Sequence, residues 1–462
     1  MLQKNKYFFS EKDLHLYDLP QIFAASCVWH ESELKNAVAT FDLYVRDMPP
    51  HRNFLLFGGL DEIIQGIINW KYEKQEIQYL LEAGLITKSF SKYLESFKFN
   101  GDIKAMHEGS IFFNNEPVLR ITAPIVQANL FTMFFMNAFT GNTKFMSKLI
   151  RSIIIVGPQR CAGVAGLRSD SFEYAMKNAR GSYLLGAVGG NSVASFAKKF
   201  NLPLVQPQTN VFHAVIKSFP SEIEAMRKMG ELYKGRVSLT VDTYDFFRGI
   251  KNAIVVIKEL KQKGFETPSI FIDSGDLVER CKVARKILDE ESLDKVKITV
   301  ATNLDEYKIK KMVNQNIEAD TFLLATEITS SSDSPKLETV YKISEILKSN
   351  KITYCAKFSQ GKETYPGKKQ VFRIEENGRL KKDIIGLDDE NLGEPQLVDI
   401  FKKGKLIYKR KSLEQIKSYI SNQILKIPNE LQSIDNDVKY EVLISRNLKN
   451  LFEKVRKEHI EN

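Results

Sequence analysis

Between about residues 180 and 360 the chain alternates short apolar runs with longer stretches whose apolar residues recur at intervals of three and four. The runs are 237–241 (VSLTV), 269–272 (SIFI), 296–301 (VKITVA), 321–324 (TFLL) and 351–355 (KITYC), each of strand length. Between them, residues 246–263, 277–290, 305–314 and 337–348 carry helical spacing. The run starts recur every 25 to 32 residues, the length of one strand–helix unit. Five such units predict an α/β fold, either a (β/α) barrel or a doubly wound sheet. The barrel is preferred, because the strands lack a Rossmann-type glycine fingerprint and polar residues crowd their ends.

The flanking regions read differently. Residues 37–46 and 54–57 predict strands around a Met48-Pro49-Pro50 turn, residues 59–70 and 74–83 predict helices, and residues 101–124 predict a small β-region. A helix is expected around 127–137. Beyond about 395 the chain is rich in Lys and Glu, with helical spacing at 412–425 and 447–457. The expected organisation is an N-terminal α/β domain over 1–125, an α/β barrel over 126–355 and a C-terminal helical extension over 396–462.

Composition narrows the class only modestly. The 462 residues are 43% hydrophobic and 27% charged, which excludes a largely disordered or collagen-like chain and calls for more than one domain. The net charge of +10 is spread thinly, its densest block being KKGKLIYKRK at 402–411. No zinc-finger, helix-turn-helix or RNP-like pattern accompanies it, so no nucleic-acid partner is expected and the lysines read as a solvated surface. Cys27, Cys161, Cys281 and Cys355 show no metal or disulfide spacing, which suits a reducing, cytoplasmic setting. The first residues lack the apolar core of a signal peptide. Pro124, Gln127, Asn129 and Asn137 interrupt the greasiest stretch, 121–140, which reads as a buried helix and not a membrane span.

The candidate chemistry lies at the predicted strand ends. In order they carry Asp242-Thr243-Tyr244-Asp245, Asp273-Ser274-Gly275-Asp276, Thr302-Asn303-Leu304-Asp305-Glu306 and Ala325-Thr326-Glu327 followed by three serines. In parallel strands these loops share one face, and such a ring suits a divalent cation, sugar hydroxyls and phosphate oxygens. Each Asp, Ser or Thr is equally at home as the N-cap of the next helix. Gly189 and Gly190, ahead of a helical segment at 193–199, form either an anion cradle or a flexible strand–turn–helix junction. Arg168, in the Gly-punctuated Gly166-Leu167-Arg168-Ser169, suits a phosphate or carboxylate as well as a surface ion pair. His213 lies between candidate strand ends, as an acid–base or nucleophilic residue or as a structural one.

Taken together, these segments resemble the nicotinate phosphoribosyltransferases, a type II phosphoribosyltransferase family. The resemblance runs from Asp18-Leu19-Pro20-Gln21 through Phe57-Gly58-Gly59-Leu60, Glu108-Gly109 and Phe113-Asn114-Asn115-Glu116-Pro117. It continues through Gly166-Leu167-Arg168 and the three Asp-rich loops to Pro366-Gly367-Lys368-Lys369-Gln370-Val371-Phe372-Arg373 and the Lys-rich tail, covering nearly all of the chain. It implies an irregular (β/α) barrel of the type II kind, with an N-terminal α/β domain completed by 356–395. The implied reaction joins nicotinate to phosphoribosyl pyrophosphate, giving nicotinate mononucleotide and pyrophosphate in NAD salvage. ATP as co-substrate through a phosphorylated histidine, Mg²⁺ and a homodimer are implied with it. On that resemblance Asp242, Asp273 and Asp276 are candidates for the ribosyl and metal side. Arg168, Gly189, Gly190 and Thr326 are candidates for phosphates, and His213 for the phosphorylated histidine.

Several positions depart from the family pattern. Pro20 stands where an aromatic residue covers the base, and Phe271 where an Arg holds the nicotinate carboxylate. Ser169 replaces the second Arg of a pair, and Asn191-Ser192 stand in the Thr-Ser-Asn helix-capping loop. The phosphate loop reads Leu323-Leu324-Ala325-Thr326-Glu327, an anion replacing a cation. Ungapped, the phosphorylated histidine falls on Thr209; His213 takes its place only with an insertion. Two readings follow: a nicotinate phosphoribosyltransferase with a remodelled site, or a catalytically reduced or altered-substrate relative acting as a binding or regulatory protein.

Overall fold

The structure, a computed structural model, describes residues 20–162, 166–187, 192–205, 207 and 213–460. The strands in chain order are β1 (Val38–Val45), β2 (Leu55–Leu56), β3 (Asp102–Ala105), β4 (Ile111–Phe112), β5 (Leu119–Pro124), β6 (Cys161–Ala162), β7 (Ser238–Thr240), β8 (Ser269–Ile272) and β9 (Ile298–Val300). They continue as β10 (Thr321–Leu323), β11 (Thr339–Lys348), β12 (Lys351–Tyr354), β13 (Lys369–Glu376), β14 (Arg379–Leu387), β15 (Glu394–Pro395), β16 (Val398–Lys402), β17 (Lys405–Leu406) and β18 (Glu441–Ile444). The chain divides into two compact units, Met1–Thr143 with Lys336–Asn462, and Lys144–Pro335.

The first unit holds an antiparallel sheet ordered β12-β11-β1-β5-β3-β16-β17 and a second sheet ordered β15-β13-β14-β18. β1, third in that order, is buried on both faces from Ala39 to Val45, which its near-continuous apolar sequence allows. Its one charged residue, Asp42, is paired with the Lys369 ammonium at 2.8 Å. In the second sheet Asp383 is wholly buried and accepts from Arg373 Nη2 at 2.6 Å, from Arg373 Nε and from the Tyr440 hydroxyl. Burial, and then the neighbouring Asp383, pushes the Glu116 carboxyl well above the ordinary glutamate range.

The sequence reading of 337–348 as a helix is corrected: these residues supply β11. Thr40 pairs with Glu345 and Phe41 with Ile343, so Ser344 is an extra, bulged residue. The bulge places Val340, Tyr341, Ser344 and Glu345 inside, a spacing of four that imitates a helix face. The run 351–355 is a strand, but β12 pairs antiparallel with β11 in this sheet and is not a fifth member of the parallel set. The units therefore divide at 143/144 and 335/336, where the sequence reading put 125/126 and 355/356. Residues beyond 395 are woven into the unit: β16 pairs with β3, and β18 lies parallel to β14.

The C-terminal segment also encloses His107. Its Nδ1 lies 3.0 Å from the Tyr408 hydroxyl, and the Tyr419 ring, with Lys411 stacked over it, stands beside it. Burial, with a smaller push from Lys411, lowers His107 from 6.5 to about 4. A histidine held neutral in the fold stabilises it fully above its ordinary value, and that contribution is lost as the pH falls toward the folded value. A His107→Gln variant should therefore lose stability less steeply than the parent between pH 6.5 and 4. Urea midpoints across that window check this, and parallel slopes would exclude His107 as the titrating group.

The second unit is built on a sheet ordered β6-β10-β9-β8-β7, parallel throughout. Helices Phe246–Gln262, Leu277–Glu290 and Glu306–Asn314 return the chain between successive strands. Gly249 lets the first of them lie directly on β7, since a Cβ there would meet the Val241 carbonyl oxygen at 2.0 Å. On its outer side β7 is held by a backbone hydrogen bond from Ser238 N to the Pro207 carbonyl at 2.9 Å. Parallel strands bring every C-terminal end to one side, and the candidate residues follow those ends.

Candidate active site

Asp242 follows β7 with its side chain 1% exposed. One of its oxygens, Oδ2, accepts three hydrogen bonds: from Asp273 N at 2.9 Å, Ser274 N at 2.8 Å and the Ser274 hydroxyl at 2.7 Å. The end of β7 is thus tied to the end of β8. Oδ1 is buried with no hydrogen-bond partner among the described residues.

Asp273 faces His213, whose Nε2 lies 3.7 Å from Asp273 Oδ2, and both side chains are about a quarter exposed. His213 Nδ1 is 2.9 Å from the Thr243 hydroxyl, which orients the ring. The histidine has a left-handed backbone, φ 53°, at the N-cap of the short helix Ala214–Ser218. Burial, and then Asp242, pushes the Asp273 carboxyl above the ordinary aspartate range, while His213 pulls the other way. Two carboxylates, a hydroxyl and an imidazole thus meet at one corner of the sheet.

Other members of the polar ring carry helix caps or ion pairs. Asp276 caps the helix Leu277–Glu290, its Oδ1 accepting from Val278 N and Glu279 N at 3.0 and 3.2 Å. Asp245 and Asp305 cap the helices at Phe246 and Glu306 in the same way. Glu306 is wholly buried, with Lys148 Nζ at 2.6 Å and Arg151 Nε at 2.9 Å. Capping and an interior ion cluster thus account for much of the acidic signal at the strand ends.

At the other side of the sheet, after β10, Thr326 opens a four-residue helix ending at Thr329. The turn carrying Arg168 packs against that helix: the Ser169 hydroxyl is 3.5 Å from Thr329 Oγ1, and Gly166 has φ +60° with Thr329 and Asp170 against it. The structure brings the Arg168 and Thr326 segments together, with Arg168 itself exposed on the turn. Residues 182–184, which lead toward the Gly189-Gly190 junction, end the helix Phe172–Leu184. Gly189, Gly190, Asn191 and Thr209 lie outside the described residues. Phe271, one residue before the end of β8, is fully buried.

Sequence reasoning missed Arg280. Its Nη1 donates to both the carbonyl and the hydroxyl of Ser274 at 2.8 Å and lies 3.5 Å from Asp242 Oδ2. Its guanidinium carbon stands 4.9 Å over the Phe246 ring. The available signal was faint, an Arg one turn beyond the Asp276 cap, indistinguishable in sequence from a solvated helix residue.

The chain is similar to known proteins over most of its length. Its residues 16–140 match the nicotinate phosphoribosyltransferase (NAPRTase) N-terminal domain, and residues 392–452 the corresponding C-terminal domain. It is 31% identical over 431 residues to nicotinate phosphoribosyltransferase pncB2 of Mycobacterium tuberculosis, covering 93% of this chain and 90% of that protein. It is 29% identical to the nicotinate phosphoribosyltransferase of Bacillus subtilis, covering 95% and 94%. The fold is similar to that of human nicotinic acid phosphoribosyltransferase, with a TM-score of 0.80 at 17% identity over 95% of this chain and 99% of that one.

Proposed function

We propose a function that starts from family membership: the chain belongs to the nicotinate phosphoribosyltransferase family, and it joins nicotinate to phosphoribosyl pyrophosphate, releasing nicotinate mononucleotide and pyrophosphate. The observation that carries this reading is the convergence of Asp242, Asp273 and His213 at the C-terminal side of a parallel sheet. In the reaction the bond from ribosyl C1′ to pyrophosphate breaks, its electron pair leaving with the oxygen, and the pyridine nitrogen forms the new bond to C1′. Positive charge develops on the ribosyl ring, and two carboxylates held in place before the reaction stabilise it.

The residues present fit a magnesium ion shared with the substrate. Among the described residues no three His, Cys, Asp or Glu side chains form a cage, whereas Asp242 Oδ1 lacks a partner and Asp273 is accessible. Mg²⁺ commonly takes one or two carboxylates and completes its shell with phosphate oxygens and water. Asp242 and Asp273 would hold it, and it would neutralise the departing diphosphate. Asp276 caps the helix that carries this loop, and Arg168, Thr326 and the glycines 189 and 190 are assigned to substrate phosphates.

His213 is assigned the ATP-linked role. With Nδ1 engaged by Thr243, Nε2 presents a lone pair that accepts the γ-phosphoryl group, the bond to ADP breaking as the N–P bond forms. The setting is the cytoplasm and the working form a homodimer; among the described residues no helix is long and apolar enough to cross a membrane. One observation favours a second reading. Phe271, fully buried, offers no cation for the nicotinate carboxylate, which suits another pyridine base or a reduced activity.

The test is product formation from labelled nicotinate, phosphoribosyl pyrophosphate and Mg²⁺, with and without ATP, and with nicotinamide in parallel. Nicotinate mononucleotide is expected, with the stimulation by ATP abolished in His213→Ala while a basal rate persists. Faster turnover of nicotinamide would favour the altered-substrate reading. No product from either base would overturn the enzyme assignment.

A further inference from the structure

Arg280 touches both the Asp242 carboxylate and the turn that follows β8. Its single Nη1 grips the carbonyl and hydroxyl of Ser274 at 2.8 Å each, while its guanidinium stacks on Phe246. Ser274 in turn gives its amide and its hydroxyl to Asp242 Oδ2. The loop between them contains Gly275 at φ +73°, where a Cβ would lie 2.5 Å from the Arg280 guanidinium carbon. The turn therefore has the backbone freedom and the space that let the arginine fold back over it. The amide of Asp273 adds the third bond to Asp242 Oδ2. One oxygen of Asp242 is thereby saturated and the other has no hydrogen-bond partner among the described residues, an asymmetry that fixes the rotation of the carboxylate.

We infer that Arg280 is a positioning residue, which clamps Ser274 so that the Asp273–Ser274 turn holds Asp242 in a single orientation for ribosyl transfer. The inference rests on the proposed reaction and names a residue outside the assigned site. Arg280 acts on Asp242 through Ser274 and directly, its Nη1 lying 3.5 Å from Oδ2, so Ser274→Ala releases part of the clamp and Arg280→Ala the whole of it. Arg280→Lys retains the charge but offers a point ammonium in place of a planar guanidinium that stacks on the Phe246 ring.

The experiment is a double-mutant cycle on kcat with Arg280→Ala, Ser274→Ala and the pair, together with amide exchange at Asp273 and Ser274. Misplacement of a reacting group by about 1 Å costs up to about a hundredfold, so Arg280→Ala is expected to lower kcat about tenfold to a hundredfold. The nicotinate KM should change less than about twofold, since a group that acts in the transition state leaves ground-state binding alone. The pair should be no slower than its slower single variant, because coupled residues are not additive. The two amides should exchange faster in Arg280→Ala while the rest of the sheet keeps its protection. Arg280→Lys should recover part of the loss, and it serves as the readout if the alanine variant does not fold. A kcat within about twofold of the parent, losses that multiply in the pair, or unchanged amide exchange would each overturn the clamp. An inactive parent chain would overturn the proposed function instead, and an active parent with an indifferent Arg280→Ala only this inference.

Discussion

Asp242→Asn is expected to slow nicotinate mononucleotide formation by about a hundredfold to a thousandfold, the range seen when a preorganised electrostatic contact to developing charge is lost. Asparagine is nearly the same shape. Its side-chain carbonyl can accept the three donors that converge on Oδ2, while its amide takes the place of Oδ1, which has no hydrogen-bond partner among the described residues. The link between the ends of β7 and β8 should therefore survive, and the change removes charge more than structure. Steady-state kcat with saturating substrates, alongside an unfolding curve close to the parent's, checks this. Activity within a few-fold of the parent would show that the Asp242 charge takes no part in the chemistry.

The largest expected effect on stability lies in the first unit. Arg373→Met should cost about 3–5 kcal/mol, because it leaves Asp383 fully buried without the guanidinium that gives it a bidentate partner. Glu116, already held above its ordinary range by burial and by Asp383, offers no compensating positive charge. The comparison is Lys381→Met, whose partner Glu376 lies in the same sheet with both side chains about half exposed. That change should cost under about 1 kcal/mol, as exposed ion pairs do. Urea midpoints for the two variants provide the measurement, and equal shifts would contradict the burial argument.

These two sites differ in how far the sequence disclosed them. That Asp242 and Asp273 lie side by side was legible because parallel strands must put their C-terminal ends together. His213 was legible only as a possibility, since nothing in the sequence states that Thr243 and Asp273 will flank it. Asp276 shows the converse. An aspartate at a strand–helix junction reads identically whether it meets a ligand or caps the helix, and here its hydrogen bonds are those of a cap. The helices at Leu277 and Phe246 were readable to within a residue because both faces of their pattern are clean. β11 was not, because its bulge at Ser344 shifts the buried positions into a helical spacing. Arg280 was invisible for another reason: its partners are the backbone and side chain of a turn six residues before it, and that proximity exists only once Gly275 adopts its positive φ.

The pairing of β1 with β11 also sets a timetable for synthesis. Val45 and Thr339 are neighbours in the sheet although 294 residues of chain (339 less 45) separate them. A ribosome adding about 5–20 residues per second needs roughly 15 to 60 s to deliver the second after the first. For that interval β1 has β5 on one side and an open hydrogen-bonding edge on the other, with apolar residues on both of its faces. The parallel unit, encoded wholly within the gap, emerges complete during the wait. The nascent chain is thus most in need of a chaperone at its oldest end, while its middle is already able to fold.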